Sequence, residues 1–389
     1  MTVKITRPSI DIRGTLDELN KPSGIAGNAM LRADSVQEQR NLLQVGRKNL
    51  IINGAMQVAQ RGTTATTIDS NDYSTCDRFL QEFPAASWSV TSTQETDGPA
   101  PFTHSLKLEA TSGASLGASE YMIPFEYRVE GYDFSRFGYN TAEAKEVTIS
   151  FWIKSNRTGT NTVDFTIQGA GTNPFIARQY TINTADTWEY KTVVMPANTS
   201  CTNLQTGGTN GMTIFWWNAS GSDFNSGAIA SSWGTQVAAN RAVGTTSTVS
   251  TGDYWQITGV QLEVGSVATD FEHRSYGEEL ALCQRYYQMY SGFSYQVIGG
   301  FTGTMETTTN CNFFGNIPEM RGAPTLQENN LHVSTASGSV FGVTSTSLPS
   351  TSKNGFRLAA TLNTSVAANT FMFLRSPGSS AYIAFDAEL

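Results

Sequence analysis

The chain offers few residues with the chemistry of an enzyme. Ser115 lies in Gly113-Ala-Ser-Leu-Gly117, which formally fits the nucleophile elbow of an esterase. That elbow needs a strand before the serine and a helix after it, whereas this one sits inside the Gly/Ser-rich run TSGASLGASEY. Glu126, Glu130 and Asp133 have the residue types of a glycosidase pair, in which two carboxyl groups flank the bond to be cut. Sequence spacing fixes no carboxyl separation, so they read as a solvated strand end and loop. His104, His273 and His332 stand alone, without the spacing of metal ligands. Cys76, Cys201, Cys283 and Cys311 form no CxxC pair and read as inert thiols of a reducing cytosol. No catalytic residue and no cofactor is expected; a structural calcium ion between β loops stays open, with no ligand set to name.

Sugar recognition needs different residues. Aromatic rings stack on the apolar faces of sugar rings while polar neighbours meet the hydroxyls, so an aromatic on an otherwise polar strand face is a candidate. Trp152 alternates with core residues in EVTISFWIKS, and Trp217 and Trp233 keep similarly polar company. Each of the three could equally cap a core edge or sit at a subunit contact.

Short strands must position these rings. Of 389 residues only 15% are charged, and 35 are glycine, the profile of a β-rich, turn-rich protein. The length allows two or three domains. A net charge of -8 speaks against a nucleic-acid binder. The charge is uneven: residues 1–48 hold eight basic and five acidic side chains, a balance of +3, which leaves 17 basic and 28 acidic, or -11, for the rest. No secretory signal and no stretch of about 18 apolar residues is present, so neither export nor membrane insertion is expected.

The expected fold is mostly β, in four parts. Residues 1–48 read as an extended N-terminal arm, in which Val3 and Ile5 alternate with polar neighbours and could add a strand to a partner's sheet. Residues 49–275 hold many short strands, among them LIINGAMQV, DRFLQEF, SLKLEA, FIARQYTI, WEYKTVVMP and MTIFWW, and predict an antiparallel jelly-roll β-sandwich. The last of these strands, Tyr254 to Val264, keeps Trp255, Ile257, Val260 and Leu262 on one face only if Gly259 is a bulge. Residues 276–290 predict a connector helix of about four turns, opened by a Ser275/Glu278 capping box. Its stripe of Leu280, Cys283, Tyr287 and Tyr290, with Tyr286 beside it, is expected to face symmetry mates or the domain ends. Residues 291–389 return to strands and predict a distal β domain.

Several long phrases resemble a known protein type. NLIINGAMQVAQRGTT, YSTCDRF, RVEGYDFSRFGYNTAEAKEVTISFWIKSNRTGTNTV, YTINTADTWEYKTVVMP and YWQITGVQLEVGSVATDFEHRSYGEELALCQRYY are similar to stretches of bacteriophage tail fibres and related virion proteins. The segment PSGIAGNAMLRADSVQEQRNLL resembles the junction near the N-termini of such fibres, and YIAFDAEL resembles their usual ending. The resemblance covers most of residues 20–290. It implies a virion structural protein, commonly oligomeric, with a sandwich similar to carbohydrate-binding modules and no catalytic residues to carry over.

The expectation is a tail fibre subunit, made in the host cytoplasm and carried on the virion, that attaches the particle to a host surface glycan without catalysis. The arm would dock on other tail proteins through Val3 and Ile5, with Lys4, Arg7 and Arg13 drawn to acidic surfaces. A homotrimer is expected, because a fibre axis must coincide with a symmetry axis. A head decoration or tail-adaptor protein and a glycan depolymerase are the alternatives.

Overall fold

The computed structural model describes residues 47–389 apart from 69, 84–88, 170–172, 203, 293–295 and 379. The expected docking residues Val3, Lys4, Ile5, Arg7 and Arg13 lie outside the described residues. Asn49–Leu389 form one compact unit.

The strand Val147–Ser155 shows why the chain folds as a sandwich. Val147, Ile149, Phe151 and Ile153 are fully buried on one face, while Trp152 and Lys154 stay half-exposed on the other. A strand with one apolar face belongs in an antiparallel sheet packed on one side. It lies in a six-stranded front sheet whose spatial order is Thr64–Ile68, Val90–Glu95, Ser105–Ala110, Tyr254–Val264, Val147–Ser155 and Glu189–Met195. The seven-stranded back sheet is built on Tyr121–Glu130, Asn210–Trp217, Gly159–Ile167 and Pro174–Ile182, with Phe79–Glu82 paired to Tyr121–Glu130. Inward rings of the two sheets meet edge to face, Phe151 against Trp216 at 5.8 Å and against Tyr180 at 5.3 Å.

Gly259 is a bulge, as the alternation requires: the pairing to Val147–Ser155 shifts register between Thr258 and Gln261, and Trp255, Ile257, Val260 and Leu262 are all buried. A bulge leaves ladder groups unpaired. Asn49 supplies the missing partners, donating from Nδ2 to Val260 O at 3.1 Å and accepting from Leu262 N at 3.0 Å.

Two expected elements differ. Residues 50–58 carry an apolar run but form turns, with Asn53 and Met56 at positive φ and Asn53 bridging its own loop to Val58. The Asn-Gly step favours a turn over a strand. The connector helix spans only Tyr276–Gln284, with Ser275 Oγ accepting from Glu278 N, and Tyr287–Ser291 is a strand. A short apolar run does not separate the two periods, and the aromatic-rich YYQMY pairs well on a pleated surface. Its partner is Tyr382–Asp386, which also pairs with Thr325–Asn329 to make a three-stranded sheet.

Beyond it, Val297–Met305, Asn310–Asn316, Gly355–Leu362, Val340–Ser352, His332–Thr335 and Phe371–Arg375 close in that order into a barrel. The barrel has its own core, centred on Phe301, Phe313, Leu358, Met372 and Leu374. The last residues of the sequence turn back onto the sandwich. Arg321 donates to Ala387 O and Glu388 O, both at 2.8 Å, Arg78 pairs with Glu388, and Arg128 reaches Leu389 O.

Candidate functional site

The outward face of the front sheet gathers aromatic and polar side chains around Trp152. Strand register sets Tyr190 opposite Trp152 on one side and Thr258 on the other. The Trp152 and Tyr190 rings lie 5.3 Å apart, tilted by 47°, and Tyr190 is 45% exposed. Along the same face, Lys154 forms an ion pair with Asp97 and sets its ammonium 5.1 Å from the Trp188 ring centre. Gln256 stands opposite Lys154 and donates to Ser105 Oγ at 2.6 Å. The hydrogen bond from Lys154 holds the Asp97 carboxyl below its ordinary range, so the pair stays charged. Tyr254 hands its hydroxyl to Asp186 at 2.6 Å, and Lys107 lies 4.7 Å from its ring centre.

Gly259 is what lets the rings close up. Its φ is +62°, and a Cβ there would stand 2.7 Å from Phe102 Cζ and 3.0 Å from Trp152 Cδ1. Phe102 packs edge-on against Phe271 at 4.9 Å and beside His273 at 5.5 Å, carrying the aromatic track past the bulge. The resulting surface sets the Trp152 and Tyr190 rings beside the charged Lys154–Asp97 pair, which suits a polyhydroxylated ligand.

The loop that crosses from the back sheet to the front sheet and leads into Trp188 and Tyr190 is tied by Glu189. Its carboxylate accepts from Asn183 N, Asn183 Nδ2 and Thr184 N, each at 2.8 Å, and from Lys191. Burial works against that charge, but the hydrogen bonds win and hold the group at about 2. The signal for this half of the site was in the sequence: Trp188, just before the strand Glu189–Met195, and Tyr190 are two apart, a spacing that sends side chains of extended backbone to the same side.

The other tryptophans go elsewhere. Trp217 is fully buried, on the outward face of the back sheet but under the chain's own return across it. It donates to the buried Asp164 at 2.9 Å and packs beside Tyr121 and Phe224, with Arg241 4.7 Å from its ring centre and 2.7 Å from Asp164. It offers no ring face to solvent. Trp233 is half-buried against the core, donates to Pro196 O at 2.7 Å and meets Tyr139 edge to face. The expected interface stripe is also spent within the chain: Cys283 and Tyr287 are buried, Leu280 packs on Ile52, Val58 and Tyr286, and Tyr290 packs on Phe301. A helix that stops at Gln284 cannot carry all four on one stripe.

Two of the three expected carboxylates, Glu126 and Glu130, are tied to arginines. Glu126 pairs with Arg128 at 2.6 Å, and burial pushes it well above the ordinary carboxylate range. Burial opposes the charge on Glu130 as well, yet hydrogen bonds from Arg285 and Tyr286 keep it below that range. Ser115 lies in a two-residue strand and no helix follows it. Among the described residues, no group of three or more His, Cys, Asp or Glu is placed to hold a metal, and no helix is long and apolar enough to cross a membrane.

No protein-family profile and no curated protein matches the chain. Solved structures similar to it include an enzymatically active domain of tailspike protein 4 from bacteriophage CBA120, at 11% identity and a TM-score of 0.29 over 56% of this chain. This chain spans 21% of that one. A family 16 carbohydrate-binding module aligns at 13% identity and a TM-score of 0.23, covering 46% of this chain and 89% of that one. A family 11 carbohydrate-binding module from Clostridium thermocellum aligns at 10% and 0.26, covering 53% and 97%. Scores of this size carry no argument about what the chain binds.

Proposed function

We propose that the chain is a virion attachment protein that holds a host surface glycan on its front-sheet face without cleaving it. One observation carries the glycan part: Trp152 and Tyr190 form a partly exposed aromatic pair on a polar sheet face, with Lys154, Asp97 and Gln256 alongside. The virion part is supported by the sequence resemblance to tail fibres. In this reading residues 1–48 dock on other tail proteins, and the subunit is a trimer. The trimer contact has to come from surfaces other than the Leu280–Tyr290 stripe, which the fold has used.

The test is binding of the purified chain to immobilised host surface polysaccharide, with the polysaccharide sized afterwards. Trp152→Ala with Tyr190→Ala should weaken binding roughly tenfold or more, about 1.4 kcal/mol, in keeping with loss of ring stacking. Polysaccharide of unchanged length supports attachment without catalysis, and shortened polysaccharide overturns that part. Undiminished binding by the double variant would remove recognition from this face.

A further inference from the structure

The barrel carries a concave surface whose chemistry differs from that of the front-sheet face. Along Asn310–Asn316 the side chains alternate, so Phe313 is fully buried while Phe314 is 61% exposed. Register sets Arg357 directly beside Phe314 and Ser350 beside Arg357, a row of hydroxyl, guanidinium and ring across three strands. The next row is Ser352, Gly355 and Asn316, and the glycine leaves its floor open between a hydroxyl and an amide. Together these residues line a cavity of about 570 Å³, within the size range of small-molecule sites.

The one charged side chain that lines the cavity, Arg357, is basic. No Asp or Glu occurs in residues 329–385, which hold Lys353, Arg357 and Arg375, although the whole chain carries -8. None of the lining residues is acidic. Arg357 is braced from the side, donating from Nε to Asn312 Oδ1 at 3.2 Å, with Nη2 3.5 Å from the exposed Glu306 carboxylate. Its Nη1 makes no hydrogen bond within the described residues. A guanidinium braced in this way is pre-organised for a carboxylate, which it can take through two parallel N–H donors.

Ring, hydroxyls, amide and guanidinium together match one ligand class. We propose that this groove binds the carboxylate-bearing sugar residue of an acidic surface polysaccharide, at a site independent of the Trp152 face. The proposal rests on the reading of the chain as a glycan binder and names a second site with its own selectivity. Phe314 stacks on the CH face of the sugar, Arg357 takes the carboxylate, and Ser350, Ser352 and Asn316 meet its hydroxyls.

A panel of uronic-acid and nonulosonic-acid oligosaccharides, each with its carboxyl-reduced form, tests this by titration calorimetry on the full chain. Wild type should bind at least one acidic member, and carboxyl reduction of that member should weaken binding tenfold or more. Phe314→Ala should weaken it for both forms. Arg357→Gln should weaken only the acidic form, so that the two forms bind alike. Phe314 and Arg357 sit at the surface, and unchanged circular dichroism and thermal midpoint will separate lost binding from lost fold. Trp152→Ala should leave this binding intact. Wild-type binding to no acidic member, or full binding by both groove variants, overturns the groove. If Trp152→Ala alone abolishes binding, the groove fails while the front-sheet reading stands.

Discussion

Arg78 and Glu388 lie 310 residues apart in the sequence and form a buried ion pair, with the guanidinium 3.5 Å from the centre of the Tyr286 ring. Their side chains are 1% and 5% exposed. Removing one partner of such a pair leaves the other charge buried without compensation, a loss of about 3–5 kcal/mol. Glu388→Gln should therefore lower stability by that order. Urea denaturation followed by circular dichroism measures it, and a change under about 1 kcal/mol would mean that Arg78 finds water or another partner.

Gly259→Ala should disturb fold and recognition together. A left-handed backbone costs a residue with a Cβ roughly 1–2 kcal/mol, and the new methyl would also displace Phe102 and Trp152. The expected result is a lower urea midpoint with weaker polysaccharide binding. Loss of stability with untouched binding would separate the bulge from the aromatic face.

Glu189 gives the loop that leads into Trp188 and Tyr190 a defined acid limit. Its carboxyl is depressed from 4.5 to about 2 in the folded chain. A group lowered on folding stabilises the native state in full above its unfolded value and loses that contribution as pH falls through the folded one. Between pH 5 and 8 the loop should be insensitive to pH, and it should loosen progressively from about 4.5 down to about 2. Hydrogen exchange at the Asn183 and Thr184 amides, corrected for intrinsic rate, is the measurement. Glu189→Gln should exchange faster than wild type at pH 6 and flatten the acid dependence; equal protection in the two proteins would exclude the carboxylate as the tie.

How much of this was legible follows from how local each feature is. The Val147–Ser155 strand could be read because its alternation is complete within nine residues. Gly259 could be read because one glycine accounts for the broken alternation of its own strand. Trp217 was misjudged because the polar residues around it are hidden by a return of the chain about 25 residues further on, where Ala242 and Arg241 seal the face. Tyr287 and Tyr290 fit a helical spacing as well as a strand, and only the pairing with Tyr382–Asp386 decides between them. Arg78 carries no local pattern at all, since its partner lies near the far end of the sequence. The groove at Phe314 could not be read from the sequence, because register brings Arg357 and Ser350 to it from two other strands.

The grip of Arg78, Arg128 and Arg321 on residues 387–389 joins parts that are far apart along the chain. Arg78 and Glu388 are 310 residues apart, so Arg78 stays an unmatched cation until the segment beyond the barrel has docked on the sandwich. A contact of such long range forms late in folding. The clamp thus ties the final stability of the sandwich to the folding of the second β region.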